Sequence, residues 1–228
     1  METVTLPHFS AFRAAGVVLD YINYILGGPN RYFGREEVIS CNRQSLPGEG
    51  TKYYLVLTIR DGLNEQPILN CTATVLYYTS KKAPDVTYTL QPEPQNYTAE
   101  KDKEFYTKMK SRSEPLVAEN IPDNFGNVPP DMEPVRNLSL AASGFIKSQH
   151  ATENTFYLMT LIKRVKQVIS DNPFLELQYE MLIHDKVSEE IERWSMIVEW
   201  SPSQGVRVKE HHQLPKINPD ENRRSRPT

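Results

Sequence analysis

The succession of one helix and four strands is written twice in this chain, and that duplication restricts what it can fold into. The first helix is predicted over residues 10–26, where Phe12, Ala15, Leu19, Ile22 and Leu26 recur at spacings of three and four and so share one face. Ser10 is a candidate N-cap. Gly27, Gly28 and Pro29 supply the stop, since glycine tolerates a left-handed turn and proline cannot continue a helix. Strands follow near residues 31–41, 52–59, 68–78 and 86–90. Tyr53, Leu55, Leu57 and Ile59 alternate with Tyr54, Val56 and Thr58, and Leu69, Cys71, Ala73, Val75 and Tyr77 alternate with Asn70, Thr72 and Thr74. This period of two, with one apolar face, marks a sheet packed on one side only. Turn-forming residues separate the strands at Pro47-Gly48, Asp61-Gly62 and Ala83-Pro84-Asp85.

The second copy begins with a helix predicted over residues 132–149, with Asp131 as candidate N-cap and Val135, Leu138, Ala142 and Phe145 on one face. Its strands lie near residues 155–169, 174–183, 191–200 and 206–209. Leu175, Leu177, Tyr179, Met181 and Ile183 point one way against Glu176, Gln178 and Glu180. Trp194, Met196, Val198 and Trp200 repeat the pattern against Arg193, Ser195 and Glu199. A lone helix cannot bury its stripe and an open sheet cannot bury its inner face, so curling each sheet around its helix satisfies both. The expected fold class is therefore α+β, as two tandem lobes, each an α-helix wrapped by a four-stranded antiparallel sheet.

The stretch between the copies has a different composition. Residues 92–113 open with Pro92, Pro94 and Asn96 and become charged over 100–110, where Phe105 and Met109 make a thin apolar stripe. We read a surface linker with a short helix, capped by Thr98. Residues 114–130 carry Pro115, Pro122, Gly126, Pro129 and Pro130, too broken for regular structure. The expected boundaries are an N-terminal lobe over 1–91, a linker over 92–130, a C-terminal lobe over 131–217 and a disordered tail over 218–228.

Composition excludes several classes. A formal net charge of −3 leaves no basic footprint for nucleic acid, and the only dense basic run is Arg223, Arg224 and Arg226 in the tail. No stretch approaches the roughly 20 apolar residues that span a bilayer, and no signal segment opens the chain, so a cytoplasmic monomer without membrane contact is expected. Cys41 and Cys71 are too few for a disulfide scaffold, and Cys71 reads as a buried free thiol. Asn70, Asn96 and Asn137 open N-x-Ser/Thr sequons that read as chance matches.

Catalytic wording is missing. The chain has no H-E-x-x-H helix, no G-x-S-x-G elbow, no phosphate-cradling glycine loop and no C-x-x-C pair. His211 and His212 are neighbours on a strand and point to opposite faces, which disfavours a shared metal. No enzyme activity, cofactor or metal of its own is expected. One loop mixes imidazole, carboxylates and a hydroxyl: His184, Asp185, Lys186, Val187, Ser188, Glu189 and Glu190. It joins the two best-patterned strands of the second copy. It reads as an acid/base pair, as a well-anchored projection that enters another protein's cleft, or as a polar turn.

At these residues the wording becomes familiar. Tyr21-Ile22-Asn23-Tyr24, Asn70-Cys71-Thr72-Ala73, Ile121-Pro122-Asp123-Asn124-Phe125-Gly126-Asn127-Val128 and Val165-Lys166-Gln167-Val168 resemble the latexin family, over a stretch from about Arg13 to Pro215. The eight-residue run from Ile121 is the specific one. The resemblance implies two cystatin-like lobes joined by a helical linker. It also implies inhibition of zinc-dependent metallocarboxypeptidases of the A/B type, with the hairpin of the second lobe inserted into the enzyme's funnel. By position that hairpin is His184 to Glu190, and Glu189 stands where the family's mammalian inhibitor has the glutamine that comes closest to the zinc. Lys186 likewise replaces an apolar residue. Two alternatives remain. Gln44-Ser45-Leu46-Pro47-Gly48 echoes the Q-x-V-x-G hairpin of cystatins, which inhibit cysteine proteases, although Pro47 stiffens the turn. The family also holds membrane-anchored and eggshell-matrix members, so a non-inhibitory scaffold or matrix role is the third reading.

Overall fold

A computed structural model describes residues 1–61, 68–80 and 82–216. The expected tail over 218–228, its arginine run and Gly62 of the predicted turn lie outside the described residues. The first lobe runs β1 (Glu2–Thr3), α1 (Phe9–Leu26), β2 (Phe33–Leu46), β3 (Gly50–Asp61), β4 (Leu69–Tyr78) and β5 (Asp85–Gln91). After α2 (Ala99–Lys110) the second lobe repeats the order as β6 (Val117–Ile121), α3 (Glu133–His150), β7 (Tyr157–Val168), β8 (Leu175–Asp185), β9 (Glu190–Ser201) and β10 (Gly205–Leu214). The duplication read from the pattern is real, and it extends one element further than the pattern disclosed.

Each lobe is a helix cradled by an antiparallel sheet of five strands rather than the four expected, in the orders β1-β2-β3-β4-β5 and β10-β9-β8-β7-β6. The additional strand in each case precedes the helix and pairs with the first long strand, β1 on β2 and β6 on β7. β6 lies inside the proline-rich stretch read as irregular. Only Ile121 of it is buried, so it has no apolar rhythm of its own and is defined by pairing Val117 with Lys166 and Ile121 with Ile162. Within the long strands the predicted faces are correct. Tyr53, Leu55, Leu57 and Ile59 are buried on β3, Leu175, Leu177, Tyr179, Met181 and Ile183 on β8, and Trp194, Met196, Val198 and Trp200 on β9. Burying each such side chain contributes about 1.5–3 kcal/mol.

The helix starts differ from expectation. α1 is capped by His8 rather than Ser10: His8 Nδ1 accepts from Ser10 N at 3.2 Å. α3 has Met132 rather than Asp131 at the cap position. Thr98 does occupy the cap of α2, but its hydroxyl donates to Asp102 Oδ2 at 2.7 Å. Phe105 and Met109, the thin stripe of α2, enter the core of the second lobe beside Trp200.

α1 and α3 lie against each other in antiparallel sense, since Asp20 meets Lys147, Tyr24 meets Phe145 and Gly27 meets Ala141. Gly144 permits the close crossing, because a Cβ there would stand 2.3 Å from the Asp20 carbonyl oxygen. The Asp20–Lys147 ion pair is buried in this contact, and Asn137 Nδ2 donates to Pro29 O at 2.9 Å beside it. Asn137, of the third sequon, is thus buried in the folded protein. Among the described residues no helix is long and apolar enough to cross a membrane.

Candidate functional site

Strands β8 and β9 pair without interruption from Leu175–Trp200 to Asp185–Glu190, so the tip formed by residues 186–189 stands on a ladder eleven pairs long. Asp185, the last paired residue of β8, is buried although it lies at the hairpin's end. Its Oδ1 accepts from Phe156 N at 2.8 Å and Val187 N at 3.1 Å, and its Oδ2 accepts from Ser188 Oγ at 2.8 Å. Burial by itself would push this carboxyl up. The hydrogen bonds from Phe156, Ser188 and Val187 outweigh it and hold the group below the usual carboxylate range. A further bond, Lys186 N to Phe156 O at 2.9 Å, ties the turn to the start of β7.

Beyond that base the tip is open. Lys186, Val187, Ser188, Glu189 and Glu190 are all exposed. Glu189 adopts φ +57°, in the left-handed region that costs a non-glycine residue about 1–2 kcal/mol, and its side chain is 67% exposed. The carboxylate Oε2 lies 3.1 Å from His184 Nε2 and 3.9 Å from Lys186 Nζ. Both contacts fall on one oxygen, Oε2. Glu190 accepts from Lys216 Nζ at 3.0 Å and returns the chain to the sheet. The structure therefore places five of the seven sequence-predicted residues, 186–190, in the exposed turn, with His184 half-buried on β8 and in contact with Glu189, and Asp185 buried at the base as the anchor.

Sequence reading missed the tip's surroundings. Leu158, His184 and Ile191 are register partners across β7, β8 and β9 and form a row on the outer face, with Leu158 and Ile191 exposed. A large apolar residue out of phase with the buried positions was the available signal. Phe9 and Phe12 of α1 line a cavity together with Phe156, Lys186 and Val187. Phe9 is 81% exposed. The projection thus rises from an apolar collar.

The other candidate residues lie elsewhere in the fold. Gln44 accepts from Tyr54 Oη at 2.9 Å, and the turn after Leu46 is closed by Glu49 N to Leu46 O at 3.0 Å, with Glu49 O accepting from Thr79 N. His211 contacts the rings of Phe145 and Trp194, and no cluster of three or more His, Cys, Asp or Glu suited to a metal occurs among the described residues. Cys41 and Cys71 are free and buried, and burial pushes their thiols up to about 11 and about 12.

Comparison with known proteins gives a continuous match. A family model described as Latexin fits residues 4–218 of the chain. Latexin of Homo sapiens is 43% identical over 211 residues, which covers 92% of this chain and 95% of that protein. Latexin of Mus musculus is 41% identical over the same shares. Ovocalyxin-32 of Gallus gallus is 29% identical over 92% of this chain and 76% of its own length.

Proposed function

Because the chain belongs to the latexin family, we propose that it is a protein inhibitor of zinc-dependent metallocarboxypeptidases of the A/B type, acting through the hairpin at residues 184–190. The observation that carries the reading is the contrast within that hairpin: a buried, triply bonded Asp185 at its base and five consecutive exposed residues at its tip. A projection held this firmly loses little conformational entropy when it enters a cleft.

The mechanism follows from what a carboxypeptidase needs. Such an enzyme cleaves at a free chain end, and a closed turn offers none. Glu189 enters the funnel first. Zinc favours an anionic oxygen, so the Glu189 carboxylate would approach the partner's metal and would displace the water needed for hydrolysis. His184 steadies the Glu189 carboxylate from behind, while Lys186, Val187, Ser188 and Glu190 meet the funnel wall and rim. Asp185 never touches the enzyme. Its part is to fix the turn.

The test is a panel of A-type and B-type carboxypeptidases, with papain alongside, assayed against the parent chain, Glu189→Gln and a variant lacking residues 186–189. The parent is expected to inhibit carboxypeptidases and spare papain. Glu189→Gln is expected to keep inhibition with its ranking of enzymes altered by about fivefold or more. No inhibition by the folded parent at about 10 μM, or undiminished inhibition by the shortened hairpin, sinks the proposal.

A further inference from the structure

The run from Ile121 to Val128, the most specific wording in the sequence, folds into a loop that the action of the hairpin leaves unused. Asp123 organises it. Its Oδ1 accepts from Phe125 N at 2.9 Å and Asn127 N at 2.8 Å, Asp123 N donates to Asn127 O at 2.9 Å, and Gly126 N donates to Asp123 O at 3.0 Å. Gly126 takes φ +85°, a conformation that a side chain would strain, and so lets the loop close. These bonds hold the Phe125 ring outward: at 90% it is the most exposed large apolar side chain among the described residues. Beside it lies a recess of about 370 Å³, with apolar walls from Ala118, Ile121, Val128, Pro129 and Met132. Asp123 and Asn127 both line the recess and brace the loop, so they form the partition between knob and hollow. β6 ends the second sheet, and among the described residues no further strand pairs with its outer edge.

A fixed aromatic side chain suits a protein contact, because little entropy is lost when it is buried. A foreign partner needs only the knob or only the hollow. A twofold pair of identical chains needs both on one patch, since each copy presents to the other the surface it also receives. We infer that this loop is a self-association site, in which Phe125 of each of two copies enters the recess of the other. The recess is large enough, since a void of about 150 Å³ accepts a benzene-sized ring. Charge does not oppose the pairing. A net charge of −3 repels weakly, and the patch carries both signs: Glu119 lies 3.6 Å from Arg164 of β7, each more than half exposed. Across a twofold axis those two can exchange partners. Area sets the strength. Two phenylalanine rings bury roughly 300–500 Å² and the recess walls about as much again, below the roughly 1,200–2,000 Å² of a stable complex, so the pair is weak, with a Kd on the order of 0.1 mM. The chain is then a monomer when dilute and a dimer when concentrated.

The experiment is sedimentation velocity of the full chain, Phe125→Ser, Pro129→Glu and the variant lacking residues 186–189, each from about 5 μM to about 1 mM. The parent and the shortened hairpin are expected to pass from monomer to dimer over that range, while Phe125→Ser and Pro129→Glu raise the Kd by at least about tenfold. Both substituted positions are exposed, so each variant should unfold within about 2 °C of the parent. An equimolar mixture of the two restores one intact insertion per pair, because Phe125 of the Pro129→Glu chain meets the unaltered recess of the Phe125→Ser chain. The mixture should associate at least about threefold more tightly than either variant alone. A parent still monomeric at about 1 mM, a Phe125→Ser chain that associates as the parent does, or a mixture no better than its components overturns the proposal. Loss of association in the shortened hairpin overturns it too, by moving the contact to residues 186–189. None of these outcomes bears on what the hairpin does to an enzyme.

Discussion

Asp185 sits where β8 ends, and its carboxylate accepts from a residue 29 positions earlier as well as from the turn it begins. Removing it leaves Phe156 N and the turn's donors unpaired beside a buried site. Asp185→Ala is expected to cost about 1.5–3 kcal/mol in urea unfolding. Its loss of inhibition should exceed that cost, because the tip loses its fixed geometry. The pH dependence has a definite sign. A carboxyl held below its ordinary value of 3.8 contributes stability that is present above that pH and is lost as pH falls through the lowered value. The fall in unfolding temperature below about pH 4 should therefore be shallower in Asp185→Asn than in the parent, and equal slopes would remove Asp185 from the account. The sequence displayed the loop as a mixed polar stretch between two patterned strands. It did not display the division of labour within it, because the partner of Asp185 is the backbone of Phe156, set by the fold.

At the scale of elements, alternation was legible wherever one face is buried and the other is not. It failed where an element owes its existence to a neighbour. β6 is such a case, and α2 is another. The charged surface of α2 suggested a loose connector, yet Phe105 and Met109 reach the second core, and Lys110 Nζ donates to Ser170 O and Asn172 O at 2.9 Å and to Phe174 O at 3.3 Å. Gln167 adds a bond to Met109 O at 2.8 Å. One ammonium thereby gathers three carbonyls of the β7–β8 turn and pins the helix end to it. Lys110→Met keeps the length and the apolar stem while removing the donors. Amides of residues 170–174 are expected to exchange with solvent about tenfold faster or more in that variant, measured by hydrogen–deuterium exchange. Protection unchanged from the parent would mean that the aromatic contacts alone hold α2.

The whole molecule is organised by the crossing of α1 and α3, which the sequence only half announced. The predicted stripes face the sheets, but each helix is also buried on a second side. There the contacts are Asp20, Tyr24, Gly27, Gly144 and Lys147, residues that look like a solvated face when read alone. Burial pushes the Asp20 carboxyl up, and the adjacent Lys147 ammonium only partly offsets that. A raised value means the opposite sign from Asp185: the folded state is penalised as pH rises through the raised value. Breaking such a pair strands a charge, whereas replacing both partners with uncharged residues of similar size is often neutral or stabilising. Lys147→Met is accordingly expected to lose about 3–5 kcal/mol, and Asp20→Asn with Lys147→Met to recover most of it or surpass the parent, in a double-mutant cycle by chemical denaturation. Additive losses would mean that the pair does not couple.

The antiparallel crossing has a consequence for separability. Because the start of one helix lies beside the finish of the other, Phe156 reaches Gly16 of the opposite lobe, and the ground beside the β8–β9 turn is a mosaic of both copies. Neither lobe carries that surface alone, and cutting the chain between them would dismantle it.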